Sequence, residues 1–179
     1  RRVSTFPPTR VMGMAGILDS ARFSVQLAEI LKKPPSEIKS IVLGSHSDKM
    51  LILSRFAEYE HKKVVDLLKE EELKTAEVKT RKRGAEIVEL LKGGSAFFAP
   101  SAGVLKMVEA IIRDKKEIMP VCGYLDGQYG LRDITLGTLA KLGKNGIEEI
   151  IELPLTYAEK KLLQEQAEEI RLTYTKLSL

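Results

Sequence analysis

A chain of 179 residues that is 44% hydrophobic and 30% charged has the make-up of one globular domain spanning 1–179, not of a disordered segment. Its net charge of +4 comes from interspersed basic and acidic residues, a solvated surface and not a nucleic-acid footprint. No run approaches the roughly 18 apolar residues of a membrane span, no signal peptide is expected behind Arg1 and Arg2, and the single cysteine, Cys122, excludes an internal disulfide and suits a reducing cytoplasm.

Pro7-Pro8 favours extended chain at the start. Residues 11–17 are apolar with glycines at 13 and 16, which suits a strand or bend where backbones approach closely. A helix is expected over 18–32, where Phe23, Leu27, Ile30 and Leu31 recur at helical spacing before Pro34-Pro35 stops it. Residues 38–43 read as a strand and 50–53 as its returning partner, with His46 in the loop between. From 55 to 91 lysine and glutamate dominate and no glycine appears before Gly84, which predicts helix through most of 55–68 and beyond. Gly93-Gly94 closes that stretch, and Ser95 is placed to cap the next helix, over 96–113. Strands follow at 116–125, 133–142 and 147–153, joined by turns at Asp126-Gly127 and Asn145-Gly146. Thr156 and Glu159 have capping-box spacing and open a last helix to about 175. The expected fold is α+β, a mostly antiparallel twisted sheet packed with long helices.

On the first helix Asp19 and Arg22 stand one turn apart on one face. Arg22 can grip a carboxylate with two parallel hydrogen bonds. Asp19, too short to share that ligand, can instead hold one nitrogen of an imidazole so that the other trades a proton with substrate. From the bare residues a second reading stays open: a helix-surface ion pair worth a few tenths of a kcal/mol, and a turn histidine in a Gly/Ser loop. His61, among charged residues, reads as solvated surface. The glycine pairs at 13/16 and 93/94 do not make a G-x-G-x-x-G phosphate loop, and two histidines with one cysteine offer no metal-ligand spacing.

Residues 11–23, from Val11-Met12-Gly13 to Ala21-Arg22-Phe23, resemble the malate/lactate dehydrogenase family, closer to its malate-type members. The match extends to Leu43-Gly44-Ser45-His46-Ser47-Asp48, to Gly94-Ser95-Ala96-Phe97-Phe98-Ala99-Pro100 and to Tyr124-Leu125-Asp126-Gly127-Gln128-Tyr129-Gly130, in the family's order and close to its spacing. It covers the second half of that family's polypeptide, so the resemblance implies a C-terminal, substrate-binding and catalytic domain without its Rossmann half. It implies His46 as the acid/base, Asp19 as the residue that orients it, Arg22 as the substrate-carboxylate ligand and Ser95 as part of the substrate pocket. It further implies NAD as cofactor only with a nucleotide-binding half, none being expected on this chain alone, and a small 2-hydroxy or 2-oxo acid as substrate. The expected partners are a second copy of the chain or a separate nucleotide-binding chain. Ser47 departs from the family's usual glycine; at a positive φ that serine would cost roughly 1 kcal/mol. His61-Lys62-Lys63 stands where the family has a short turn, and Thr138-Leu139-Ala140 where it tends to a Val-Pro-Val type strand. A second function class therefore stays open: a non-catalytic, stand-alone or self-associating domain.

Overall fold

In the computed structural model, which describes residues 4–92, 94 and 96–176, the first helix, α1, spans Gly16–Leu31. Phe23, Leu27 and Ala28 bury its inner face, and Lys32, in the left-handed conformation at φ 53°, ends it ahead of Pro34. Gly16 opens the helix where no side chain fits: a Cβ there would lie 2.8 Å from both the Pro120 Cβ and the Val42 carbonyl oxygen. The close approach expected of this segment is thus real, but at Gly16 it belongs to the helix itself. Gly13 makes an isolated antiparallel bridge to Cys122.

The strand expected over 38–43 is two short pieces, β1 (Ile38–Lys39) and β2 (Val42–Leu43), which take different partners. β2 pairs antiparallel with β3 (Leu51–Ile52), while β1 pairs with β4 (Glu58–Tyr59). The break falls where Ser40 Oγ turns to donate to the Ser20 carbonyl of α1, at 2.7 Å.

The helix expected through 55–68 does not form. Ser54–Phe56 is one 3-10 turn, β4 returns through Glu60 and His61 into β5 (Lys62–Lys63), and Val64–Asp66 is another 3-10 turn. Glu60 and His61 both have positive φ, 47° and 65°, as a two-residue type I′ hairpin turn requires. The reason is burial. Tyr59 and Val64 are buried while Glu60, His61 and Lys62 face solvent. Glu58 and Lys63 stand opposite one another, with Nζ 2.5 Å from Oε1; helical pairs meet at three or four residues' separation, not five. A hairpin turn therefore stands where helix was expected, and His61 is solvated at its tip.

Helix α2 covers Glu70–Leu90 and begins where Glu72 Oε2 accepts the Lys69 N–H at 2.8 Å. Helix α3 covers Phe98–Ile112, two residues later than expected; Gly93 and Ser95 lie outside the described residues. β6 (Glu117–Asp126), β7 (Arg132–Gly143) and β8 (Gly146–Ile151) form an antiparallel sheet in that order. The last helix, α4 (Tyr157–Lys176), carries the expected capping box: Glu159 N–H donates to Thr156 Oγ1 (3.2 Å) and Thr156 N–H to Glu159 Oε2 (2.6 Å).

Three buried clusters hold these pieces. One joins α1 and α2 to the small strands through Phe23, Leu27, Val42, Tyr59 and Ala76. A second joins α4 to β7 and to β2–β3 through Leu163, Ala167, Ile134, Leu136, Leu43 and Leu51. A third packs Met107 and Ala110 of α3 on Val121, Ala140 and Leu142. Adjacent residues Leu139 and Ala140 enter different clusters, as the two-residue period of a strand demands. The architecture is α+β, with every strand pairing among the described residues antiparallel. No helix among them is long and apolar enough to cross a membrane.

Candidate active site

Four serine contacts bring the first helix against the strand that leads to His46. Ser20 Oγ accepts the Val42 N–H at 2.9 Å, and Ser24 Oγ donates to the Ile38 carbonyl at 2.9 Å. Ser40 Oγ reaches the Ser20 carbonyl and also lies 3.0 Å from Ser24 Oγ. Serines at i and i+4 share a helix face, so α1 is fixed both along its axis and in rotation. That sets where Asp19 and Arg22 point.

β2 ends in the loop that carries His46. Gly44, at φ +85°, exchanges backbone hydrogen bonds with Gly137 of β7 at 2.9 and 3.1 Å. Neither glycine tolerates a side chain: a Cβ on Gly137 would meet the Gly44 oxygen at 2.3 Å, and one on Gly44 the Gln166 amide oxygen at 2.1 Å. Ser47 N–H donates to the Ser45 carbonyl, and Met50 N–H to the Ser47 carbonyl. Ser47 is not among the residues with positive φ, so it sits in the loop without left-handed strain.

The three residues singled out by the sequence meet here. His46 Nδ1 lies 2.7 Å from Asp19 Oδ2. An ionised carboxylate only accepts, so Nδ1 carries the proton and Nε2 is the atom left to exchange one. The other Asp19 oxygen, Oδ1, takes a longer 3.4 Å contact from Arg22 Nη1. Asp19 is 2% exposed and Arg22 11%, whereas His46 is 48% exposed. The hydrogen bond to Asp19 holds the His46 imidazole above its ordinary pKa, against partial burial and the Arg22 charge, which both pull it down.

Arg22 retains unused capacity. Its Nε is buried and has no acceptor among the described residues. The guanidinium lies along the backbone of α2 at Gly84, where a Cβ would stand 3.4 Å from Nη1. A buried guanidinium with a free donor, beside a carboxylate already engaged by an imidazole, is chemically suited to a second, incoming anion.

Other residues of the site are less visible in the sequence. Ser20 and Ser24 are recognisable only as a polar i, i+4 pair on one face of the helix. Gln166, on α4, is a polar residue on the stripe with Leu163, Ala167 and Ile170, and its side chain reaches the His46 loop. Ser95 lies outside the described residues. Among those described, no group of three or more His, Cys, Asp and Glu side chains is placed to hold a metal ion.

The sequence model of "lactate/malate dehydrogenase, alpha/beta C-terminal domain" matches residues 17–177. The chain is 43% identical to a malate dehydrogenase of Roseiflexus castenholzii over 170 residues, covering 95% of this chain and 55% of that protein. It is 41% identical to the malate dehydrogenase of Methanosarcina mazei over 178 residues, 99% of this chain and 58% of the relative. The solved malate dehydrogenase of Salinibacter ruber superposes with a TM-score of 0.95 at 38% identity, over 98% of this chain and 57% of that one. The lactate dehydrogenase of Eimeria maxima, solved with NADH and oxamate, gives 0.94 at 34% identity, over 99% and 55%. The chain thus spans a little over half the length of these relatives. On a match that runs through α1, the His46 loop and α4, the chain belongs to the lactate/malate dehydrogenase family, as its alpha/beta C-terminal domain.

Proposed function

We propose that this chain is the substrate-binding and acid/base half of an NAD-dependent dehydrogenase of malate or a similar 2-hydroxy acid. One observation carries the reading: a single buried carboxylate, Asp19, engages the His46 ring with one oxygen and the Arg22 guanidinium with the other. Arg22 binds the substrate carboxylate through the donors it does not spend on Asp19, which brings the carbinol carbon toward His46. His46 Nε2 takes the hydroxyl proton when the alcohol is oxidised and returns it when the 2-oxo acid is reduced, while Asp19 stabilises the imidazolium.

The described residues do not suit a dinucleotide. The sheets are antiparallel and lack the strand-order switch at which a parallel sheet opens a nucleotide crevice. α2 begins with Glu70, Glu71 and Glu72, whose charges oppose a phosphate. At the start of α4 the Thr156 and Glu159 N–H groups are engaged by each other's side chains. In this reading the hydride acceptor comes with a nucleotide-binding half.

The reading is tested by fusing this chain behind the nucleotide-binding half of the Roseiflexus castenholzii relative and following malate-dependent NADH formation. The 179 residues alone are expected to show no turnover and no tight NAD binding, and the fusion to turn over. In the fusion, Arg22→Lys should raise KM for malate by tens to hundreds of fold, since a point charge replaces a two-pronged grip worth roughly 1.5–3 kcal/mol per charged bond. An Arg22→Lys fusion with an unchanged KM would remove Arg22 from the substrate site.

A further inference from the structure

The His46 loop is held shut by a side chain from the far end of the chain. Gln166 of α4 is fully buried, yet both ends of its amide are used. Its Oε1 accepts the Ser45 N–H at 2.7 Å and its Nε2 donates to the Lys49 carbonyl at 2.7 Å. These two backbone groups flank His46, so one planar amide ties together the two arms of the loop. The space it occupies is the space that Gly44 leaves by having no Cβ. One turn further along the same helix, Glu169 pairs with the Lys49 side chain at the surface.

We infer that Gln166 is the positioning residue that fixes the His46 ring against Asp19, an inference that rests on the proposed role of the Asp19–His46 pair. The ring itself is held by its hydrogen bond to Asp19. It is half exposed, and its serine neighbours bond one another, Ser45 Oγ lying 2.8 Å from Ser47 Oγ. Without the amide, the loop keeps its anchors at Gly44–Gly137 and at the β2–β3 pair but loses the tie between Ser45 and Lys49, and the segment that carries the imidazole is freer to move away from Asp19. The charged groups that bear on the ring are Asp19 and Arg22, with Lys49 and Glu169 paired beyond them; Gln166 changes none of these charges, so any effect it has on His46 acts through placement.

NMR on the whole 179-residue chain reads this directly. In the wild type the Ser45 amide should exchange slowly for a loop residue, and the His46 ring should titrate above the ~6.5 of a free imidazole with its proton on Nδ1. Gln166→Leu keeps the side-chain volume and removes both bonds; it should free the Ser45 amide and move the His46 midpoint back toward the free value. A Gln166→Leu protein that is folded and keeps the wild-type His46 midpoint overturns the inference. Should that variant fail to fold, a Ser45 amide exchanging at unprotected rates in the wild type overturns it equally. If the wild-type His46 midpoint is already ordinary while Ser45 is protected, the Asp19–His46 pairing fails, and the inference falls with it for that separate reason.

Discussion

Asp19 decides more at this site than either of its partners. It is almost completely buried, has both oxygens engaged, and meets one partner that can lose its charge and one that cannot. Its hydrogen bond is the largest influence raising the His46 pKa, and the remaining influences apart from its charge, burial and Arg22, both lower it. Asp19→Asn should therefore take the His46 midpoint below the wild-type value and to or beneath ~6.5, as ring-proton shifts would show; an unchanged midpoint would contradict the pairing. The sign for stability follows from the same shift. Because the folded-state pKa is raised, the pair stabilises the fold fully below the unfolded value of ~6.5 and loses that contribution as pH rises through the folded value. The urea midpoint of the wild type relative to His46→Asn should accordingly shrink between acid and mildly alkaline pH. In the dehydrogenase proposed above the requirement would be opposite in the two directions: oxidation of a hydroxy acid would need neutral His46, reduction of the oxo acid would need it protonated.

At the scale of elements the β4–β5 hairpin is the instructive case. Its tip places Glu60 and His61 at φ 47° and 65°, a conformation that costs a side-chain-bearing residue roughly 1–2 kcal/mol. Replacing the pair by Asn-Gly, the residues a type I′ turn favours, should raise the stability by about 1–2 kcal/mol, read as a higher urea midpoint. A helix at 55–68 would be weakened by the same change. The sequence hid this hairpin because lysine and glutamate favour helix on composition, and because a two-residue strand is too short to show alternation. The legible clue was the spacing of Glu58 and Lys63, and of Tyr59 and Val64, five apart and so useless to a helix. Long elements fared differently: α1 and α4 were readable from helical spacing and a cap, and β6, β7 and β8 from the turns at Asp126-Gly127 and Asn145-Gly146 that separate them. Asp19, Arg22 and His46 stood out in the sequence through the family resemblance, the bare residues leaving a turn histidine and a surface ion pair open, and the fold brings the three together. The site was illegible where tertiary contact alone gives a residue its part, as at Gln166, which meets Ser45 across 121 positions of chain.

The whole molecule leaves apolar surface uncovered. On α3, Phe98 is 81% exposed, and Leu105 and Ile112 follow it at seven-residue intervals, also exposed, with Val108 between them. Burial of such surface contributes ~25 cal/mol per Å², so covering several hundred Å² outweighs several kcal/mol of the association penalty. We expect the 179-residue chain to self-associate, most simply as a closed two-fold dimer. Light scattering after size exclusion should give a mass above the 20.0 kDa of one chain; a constant single-chain mass over a wide concentration range would contradict it. The central claim, however, concerns one imidazole. In the fusion with a nucleotide-binding half, His46→Asn should lower kcat for malate oxidation by roughly 10²–10⁴-fold, the usual worth of a general acid/base, with the fold and the KM for malate largely retained. Turnover of His46→Asn within a few fold of the wild type would show that the Asp19–His46–Arg22 cluster is not the acid/base machinery proposed.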